Sequence, residues 1–101
     1  MKELPLAITG VCSLDAVSMA EQGRRYAELG HHVRDATREP RLLVAQFDEG
    51  VDLALLEETV AVERSCCSFF GIEVQGLRLR LTVAEDRHIS ALDAIAGALG
   101  V

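Results

Sequence analysis

The stretch Glu-Arg-Ser-Cys-Cys-Ser-Phe-Phe, residues 63–70, is where the hydrophobic pattern of the chain changes from helical to extended. Residues 52–65 carry apolar side chains at spacings of three and four, which predict a helix, whereas residues 69–75 predict a strand. Two of the three cysteines, Cys66 and Cys67, stand side by side at this junction. Because a backbone that changes direction can aim neighbouring side chains at one point, we expect this junction to build a thiol site.

The hydrophobic pattern on either side of the junction predicts the order helix, hairpin, helix, hairpin, helix. A mainly antiparallel sheet of about four strands, with helices on one face, follows as an α+β fold. The length of 101 residues fits a single domain over residues 1–101. Gly30 is expected to end the first helix as its C′ residue. The predicted helices are about 14–29, 52–66 and 87–99, the predicted strands are about 32–39, 41–48, 69–75 and 77–84, and residues 4–11 are expected to be extended or a short edge strand.

Charge and composition exclude several classes of protein. The formal net charge of −6 argues against direct binding of nucleic acid, which requires a basic face. No apolar run approaches the roughly 20 residues that span a bilayer, so we expect no membrane partner. Residues 1–5 lack the apolar run of a signal peptide, and we therefore expect a cytoplasmic protein. An odd number of cysteines in such a chain predicts reduced thiols rather than a disulfide framework.

Three thiols are candidates for one soft-metal site. Cys12 stands just before the first predicted helix, where exposed N–H groups and the helix dipole would lower the pKa of its thiol. Thiolates bind soft ions such as Hg(II), Cu(I), Cd(II) and trivalent arsenic. We therefore expect the sulfur of Cys12 to lie within about 4 to 6 Å of a sulfur of Cys66 or Cys67. The alternative is that the cysteines are small buried apolar residues.

Two carboxyl groups are candidates for the same site. Asp15 follows Cys12 by three residues and either caps the helix or serves as a proton donor or metal ligand beside the thiol. In the second role, burial and neighbouring thiolates would keep Asp15 protonated. Glu63 lies one helical turn before Cys67 on an otherwise apolar stripe. It either faces the thiol site as a metal ligand or lies in solvent at the edge of the stripe.

These motifs resemble those of bacterial alkylmercury lyases. That family has a Trp-Cys-Ala-Leu-Asp segment and, after a helix, Phe-Cys-Cys-His-Val-His-Phe-Phe leading into a strand. Residues 11–15 here read Val-Cys-Ser-Leu-Asp, and residues 66–70 read Cys-Cys-Ser-Phe-Phe. The resemblance implies catalytic roles for Cys12, Asp15 and Cys66 in cleaving a mercury–carbon bond. The chain also resembles short bacterial proteins with a Glu-x-x-Cys-Cys-Pro/Ser-Phe-Phe pattern, some of them associated with mercury-type regulators.

Two functional hypotheses follow. In the first, the chain binds a soft metal ion or an organomercurial through Cys12, Cys66 and Cys67, with Asp15 or Glu63 beside them. Hg(II) is then either stored on three thiolates or is the product of protonolysis of a carbon–mercury bond. In the second, the chain is a regulatory or protein-interaction module whose cysteines belong to the core. Its acidic surface and sheet edges would then bind a partner, including a second copy of the chain.

Overall fold

The computed structural model describes residues 15–101, and the predicted α-ββ-α-ββ-α order is confirmed. The extended segment predicted at 4–11 lies outside the described residues. Among residues 15–101, no helix has both the length and the apolar character that crossing a membrane requires. The helices are α1 (Ala16–Gly30), α2 (Leu53–Cys66) and α3 (Ile89–Leu99), the last preceded by a 3-10 turn at Asp86–His88, and the strands are β1 (Val33–Glu39), β2 (Leu42–Phe47), β3 (Phe70–Gln75) and β4 (Arg78–Val83).

The four strands form one antiparallel sheet in the order β1-β2-β4-β3. The sheet consists of two hairpins, β1-β2 and β3-β4, and strands β2 and β4 pair with each other at its centre. Side chains alternate along β2, so that Leu43, Ala45 and Phe47 are buried while their neighbours are half-buried. This alternation confirms the period-two pattern in the sequence, and it fixes which face of the sheet meets the helices.

The core lies between that face and the helices. On α2, Leu56 and Val60 are buried as the stripe predicts, whereas Leu53, the first residue of the helix, is 50% exposed. Helix α3 packs against both α1 and the sheet. The buried apolar side chains of this core are Tyr26, Leu29, Leu43, Ala45, Phe47, Val51, Leu56, Val60, Leu79, Leu81, Val83, Leu92, Ile95, Ala96 and Leu99.

A glycine allows the ends of α1 and α3 to approach each other. Gly30 is the last residue of α1 and does not have a positive φ, so the left-handed C′ role expected for it is wrong. A Cβ at this position would lie 2.3 Å from the backbone oxygen of Leu99. Glycine is therefore required by the close contact between two backbones rather than by the conformation of the helix end. This contact holds α1 beside α3, and the candidate site lies between these two helices.

Candidate functional site

The helix-to-strand junction is built by a short turn after α2. Cys67 caps the helix, with its backbone N–H donating to the carbonyl oxygen of Glu63 at 2.8 Å. The N–H of Phe70 then donates to the carbonyl oxygen of Cys67 at 3.2 Å as β3 begins. This change of direction gives the adjacent cysteines different surroundings. Cys67 is 2% exposed, whereas Cys66 is half-buried, with its sulfur 3.7 Å from the Ser65 hydroxyl oxygen.

The oxidation state of Cys67 corrects one expectation. The sequence predicted three reduced thiols, but Cys67 is disulfide-bonded. A disulfide sulfur is not a thiolate, so Cys67 can serve as a metal ligand only after reduction. Cys12 lies outside the described residues, and its distance from Cys66 and Cys67 stays a prediction.

A pocket of about 120 Å³ opens beside Cys67, between α1, α3, the end of α2 and the start of β3. Its walls are largely apolar, and its polar side chains come from two facing helices. Gln22 and Tyr26 are on α1, and Glu63 is on α2. The described residues that line the pocket are Met19, Gln22, Gly23, Tyr26, Glu63, Cys67, Phe70, Ala91, Ala94, Ile95 and Ala98.

Glu63 is buried inside this pocket. It is only 4% exposed, so the alternative that it lies in solvent at the edge of the stripe is wrong. Its Oε1 atom accepts hydrogen bonds from the Tyr26 hydroxyl at 2.6 Å and from Gln22 Nε2 at 3.1 Å. These donors satisfy one oxygen of a carboxylate that would otherwise be costly to bury. The structure therefore brings Glu63 and Cys67 to one pocket, as expected from their spacing of one helical turn.

Tyr26 and Gln22 are held in place to donate to Glu63. Burial, together with the charge of Glu63 and its hydrogen bond, raises the pKa of the Tyr26 phenol well above its ordinary value. The phenol therefore stays protonated at neutral pH. Gln22 Nε2 also donates to the backbone oxygen of Thr59 at 2.9 Å, while Gln22 Oε1 accepts from Arg25 at 2.8 Å. The amide is fixed at both ends, so its N–H₂ group must point toward Glu63.

Asp15 has a different environment from the one expected of a proton donor. It is exposed, and its Oδ1 accepts a hydrogen bond from the Ser18 N–H at 2.8 Å, which caps α1. The hydrogen bonds from Ser18 lower the pKa of the Asp15 carboxyl. A carboxyl in this position is ionised at neutral pH, and the structure thus shows the capping role. Any catalytic role for Asp15 stays a prediction from the motif.

Residues 15–101 contain no group of three or more His, Cys, Asp and Glu side chains that could hold a metal ion. The predicted three-thiol site includes Cys12 and is therefore not represented within that range. Sequence reasoning missed Gln22 and Tyr26 as polar partners of Glu63. Their spacing of four residues on α1 was a usable signal, because it places a glutamine and a phenol on one face of the helix.

Comparison with protein-family models, with curated proteins and with solved structures yields no match to this chain. The resemblance to alkylmercury lyases therefore rests on the sequence motifs alone. It stays a hypothesis.

Proposed function

We propose that this protein binds a soft metal ion or an organomercurial through its cysteine thiols, with Hg(II) as ligand or substrate. The observation that carries the proposal is that Cys67 and Glu63 line the same apolar pocket. Thiolates are the preferred protein ligands of soft ions. A buried carboxylate beside them offsets the positive charge of the metal. The motif resemblance to alkylmercury lyases supports the same assignment.

Binding requires the reduced protein. A dithiol reductant transfers two electrons and two protons to the disulfide of Cys67, leaving two thiols whose deprotonated forms bind the metal. A cytoplasmic location fits this requirement, because the cytosol keeps protein thiols reduced. In the storage form of the proposal, Cys12, Cys66 and Cys67 hold Hg(II) together.

In the enzymatic form, Cys12 and Cys66 hold the mercury of an organomercurial while a carboxyl group donates its proton to the carbon. The carbon–mercury bond breaks with its electron pair on carbon, a carbon–hydrogen bond forms, and Hg(II) stays on the thiolates. The resemblance gives the acid role to Asp15. The apolar walls of the pocket beside Glu63 would hold the organic group.

The test is to incubate the reduced protein with a phenylmercury salt and excess small thiol, then to measure mercury retained on the protein and benzene released. The proposal expects the wild type to retain mercury and the Cys66→Ser/Cys67→Ser double variant to lose it while staying folded. Benzene release that is lost in Asp15→Asn, with mercury still retained, identifies Asp15 as the acid. Retention without benzene makes the protein a binder, and the absence of retention refutes the proposal.

A second candidate function is an interaction module whose cysteines are structural. The observation that favours it is that Cys67 is 2% exposed and disulfide-bonded, as expected of a core residue. Among the described strands, β1 and β3 form the edges of the sheet, where another chain or a second copy could pair. Sedimentation over a range of concentrations tests this candidate. A mass that doubles, together with no retention of mercury, favours it over the first.

A further inference from the structure

We propose that the pocket between α1 and α3 binds a small organic ammonium ion of the size of benzylammonium or cyclohexylammonium. Its ammonium group would contact the Glu63 carboxylate, and its hydrocarbon ring would fill the apolar part of the pocket. This binding needs neither a metal nor a reduced thiol. It is therefore independent of the function proposed above, although both use the same pocket.

Among the described residues, Glu63 has neutral hydrogen-bond partners and no cationic one. The side chain is 4% exposed, and both of its hydrogen-bond donors, the Tyr26 hydroxyl and the Gln22 amide, are neutral. The nearby cation, Arg25, donates to Gln22 and lies 3.6 Å from Glu58 instead. Within residues 15–101, no cationic side chain forms an ion pair with Glu63. Buried charges in proteins are normally paired, so a cationic ligand would supply the partner that residues 15–101 do not.

Only one of the two carboxylate oxygens of Glu63 accepts hydrogen bonds from the described residues. Both protein donors reach Oε1, and residues 15–101 provide no hydrogen-bond donor to Oε2. Because Glu63 lines the pocket and its Oε1 already accepts two hydrogen bonds, the proposal assigns Oε2 as the acceptor for an entering ligand. An ammonium group donates several N–H bonds, and a bond between two charged groups is about twice as strong as a neutral one.

The lining and the volume of the pocket suit a small apolar group with one polar end. Apart from the polar groups on one side, the pocket is lined by Met19, Phe70, Ile95 and several alanines. Its volume of about 120 Å³ is comparable to the roughly 150 Å³ of an engineered cavity that holds a benzene ring. One ring or a short branched chain therefore fits, with a single polar end. The carboxylate disfavours anions.

A glycine on α1 keeps the pocket open and provides a clean test. A Cβ at Gly23, which lines the pocket, would meet no atom of residues 15–101 within 4 Å beyond its chain neighbours and its own helix backbone. Replacing Gly23 with leucine thus places a side chain in the pocket without a backbone clash. Within the described part of the chain, a Cβ at Gly97 on α3 would likewise meet no atom within 4 Å outside its own helix, and Gly97 is not among the described residues that line the pocket. Gly97→Leu is therefore the matched control for a glycine-to-leucine change in a helix.

The experiment titrates metal-free protein with benzylammonium, benzyl alcohol and benzoate, following backbone amide shifts by NMR. We expect benzylammonium to bind the wild type and the Gly97→Leu variant alike, with shifts centred on the pocket. Glu63→Gln should weaken this binding by about tenfold or more, because a charge-assisted hydrogen bond is lost. Gly23→Leu should abolish it.

Three results would overturn the proposal. The first is that no benzylammonium binds at millimolar concentration, and the second is that the alcohol and the ammonium ion bind equally well. The third is that Gly23→Leu binds as tightly as Gly97→Leu, which places the ligand elsewhere. Since no mercury is present and Gly23→Leu leaves every cysteine intact, none of these results bears on metal binding.

Discussion

Removal of the Tyr26 hydroxyl is the sharpest test of the polar group in the pocket. Tyr26→Phe deletes the donor that lies 2.6 Å from Glu63 Oε1 and leaves the ring in place. Both side chains are almost fully buried, so water cannot readily replace the lost donor. A hydrogen bond to a charged group contributes about 1.5–3 kcal/mol to stability. We therefore expect the free energy of unfolding at neutral pH to fall by about that amount.

The assay is urea unfolding followed by circular dichroism, in a double-mutant cycle with Glu63→Gln. In the Glu63→Gln background the acceptor is a neutral amide, and Tyr26→Phe should cost only about 0.5–1.5 kcal/mol. The difference between the two values measures the contribution of the charge. If Tyr26→Phe changes stability by less than about 0.5 kcal/mol, the typical range for a surface substitution, the buried hydrogen bond described here is refuted.

Three further predictions test the rest of the fold. Tyr26 is the only tyrosine in the chain, and its pKa is raised in the folded state. Its contribution to the free energy of unfolding is complete below the pKa of the unfolded chain, about 10, and is lost as pH rises through the pKa of the folded state. Phenolate absorbance should thus appear only with unfolding, and a separate earlier titration would contradict this. Urea unfolding should show that Gly30→Ala destabilises the protein by about 1–3 kcal/mol, because the added Cβ clashes with Leu99. Gly97→Ala should instead stabilise the protein by about 0.5–1 kcal/mol. Equal effects of the two substitutions would count against the close approach of α1 and α3. The pKa of the Asp15 carboxyl is lowered in the folded state. The stability that Asp15 contributes is therefore present above the pKa of the unfolded chain, about 3.9, and is lost as pH falls through the pKa of the folded state. Thermal melts of Asp15→Ala should accordingly be lower than wild type at pH 7 and converge with it in acid, and a constant difference would show that its charge is irrelevant.

The secondary structure was predictable because its signals are local. Alternation in the sequence predicts that Leu77, Leu79, Leu81 and Val83 face the core. The last three are buried, whereas Leu77, just before β4, is half-buried against the core. The capping role considered for Asp15 marked the start of α1 within two residues, and Asp52 is the N-cap at the start of α2. The spacing of apolar and capping residues depends only on residues within one helix or strand. Because the helices and strands of this chain are regular, that spacing predicts them correctly.

The candidate site was predictable only in part. The spacing of Glu63 and Cys67 on one stripe of α2 correctly indicated a shared pocket. The spacing of Gln22 and Tyr26 places both on one face of α1, but it does not show that this face meets Glu63, which is 41 and 37 residues away in the chain. The oxidation of Cys67 was also missed, because an odd cysteine count says nothing about which sulfurs meet in space.

The proposal of a thiol site for soft metals is tested most directly by X-ray absorption at the mercury edge. The sample is reduced protein loaded with one equivalent of Hg(II) and passed through a desalting column. The proposal predicts that mercury stays with the protein and has two or three sulfur neighbours. The Cys66→Ser/Cys67→Ser double variant, prepared in the same way, should lose those neighbours. Mercury that elutes separately from the folded wild type, or that has only oxygen and nitrogen neighbours, would contradict the proposal.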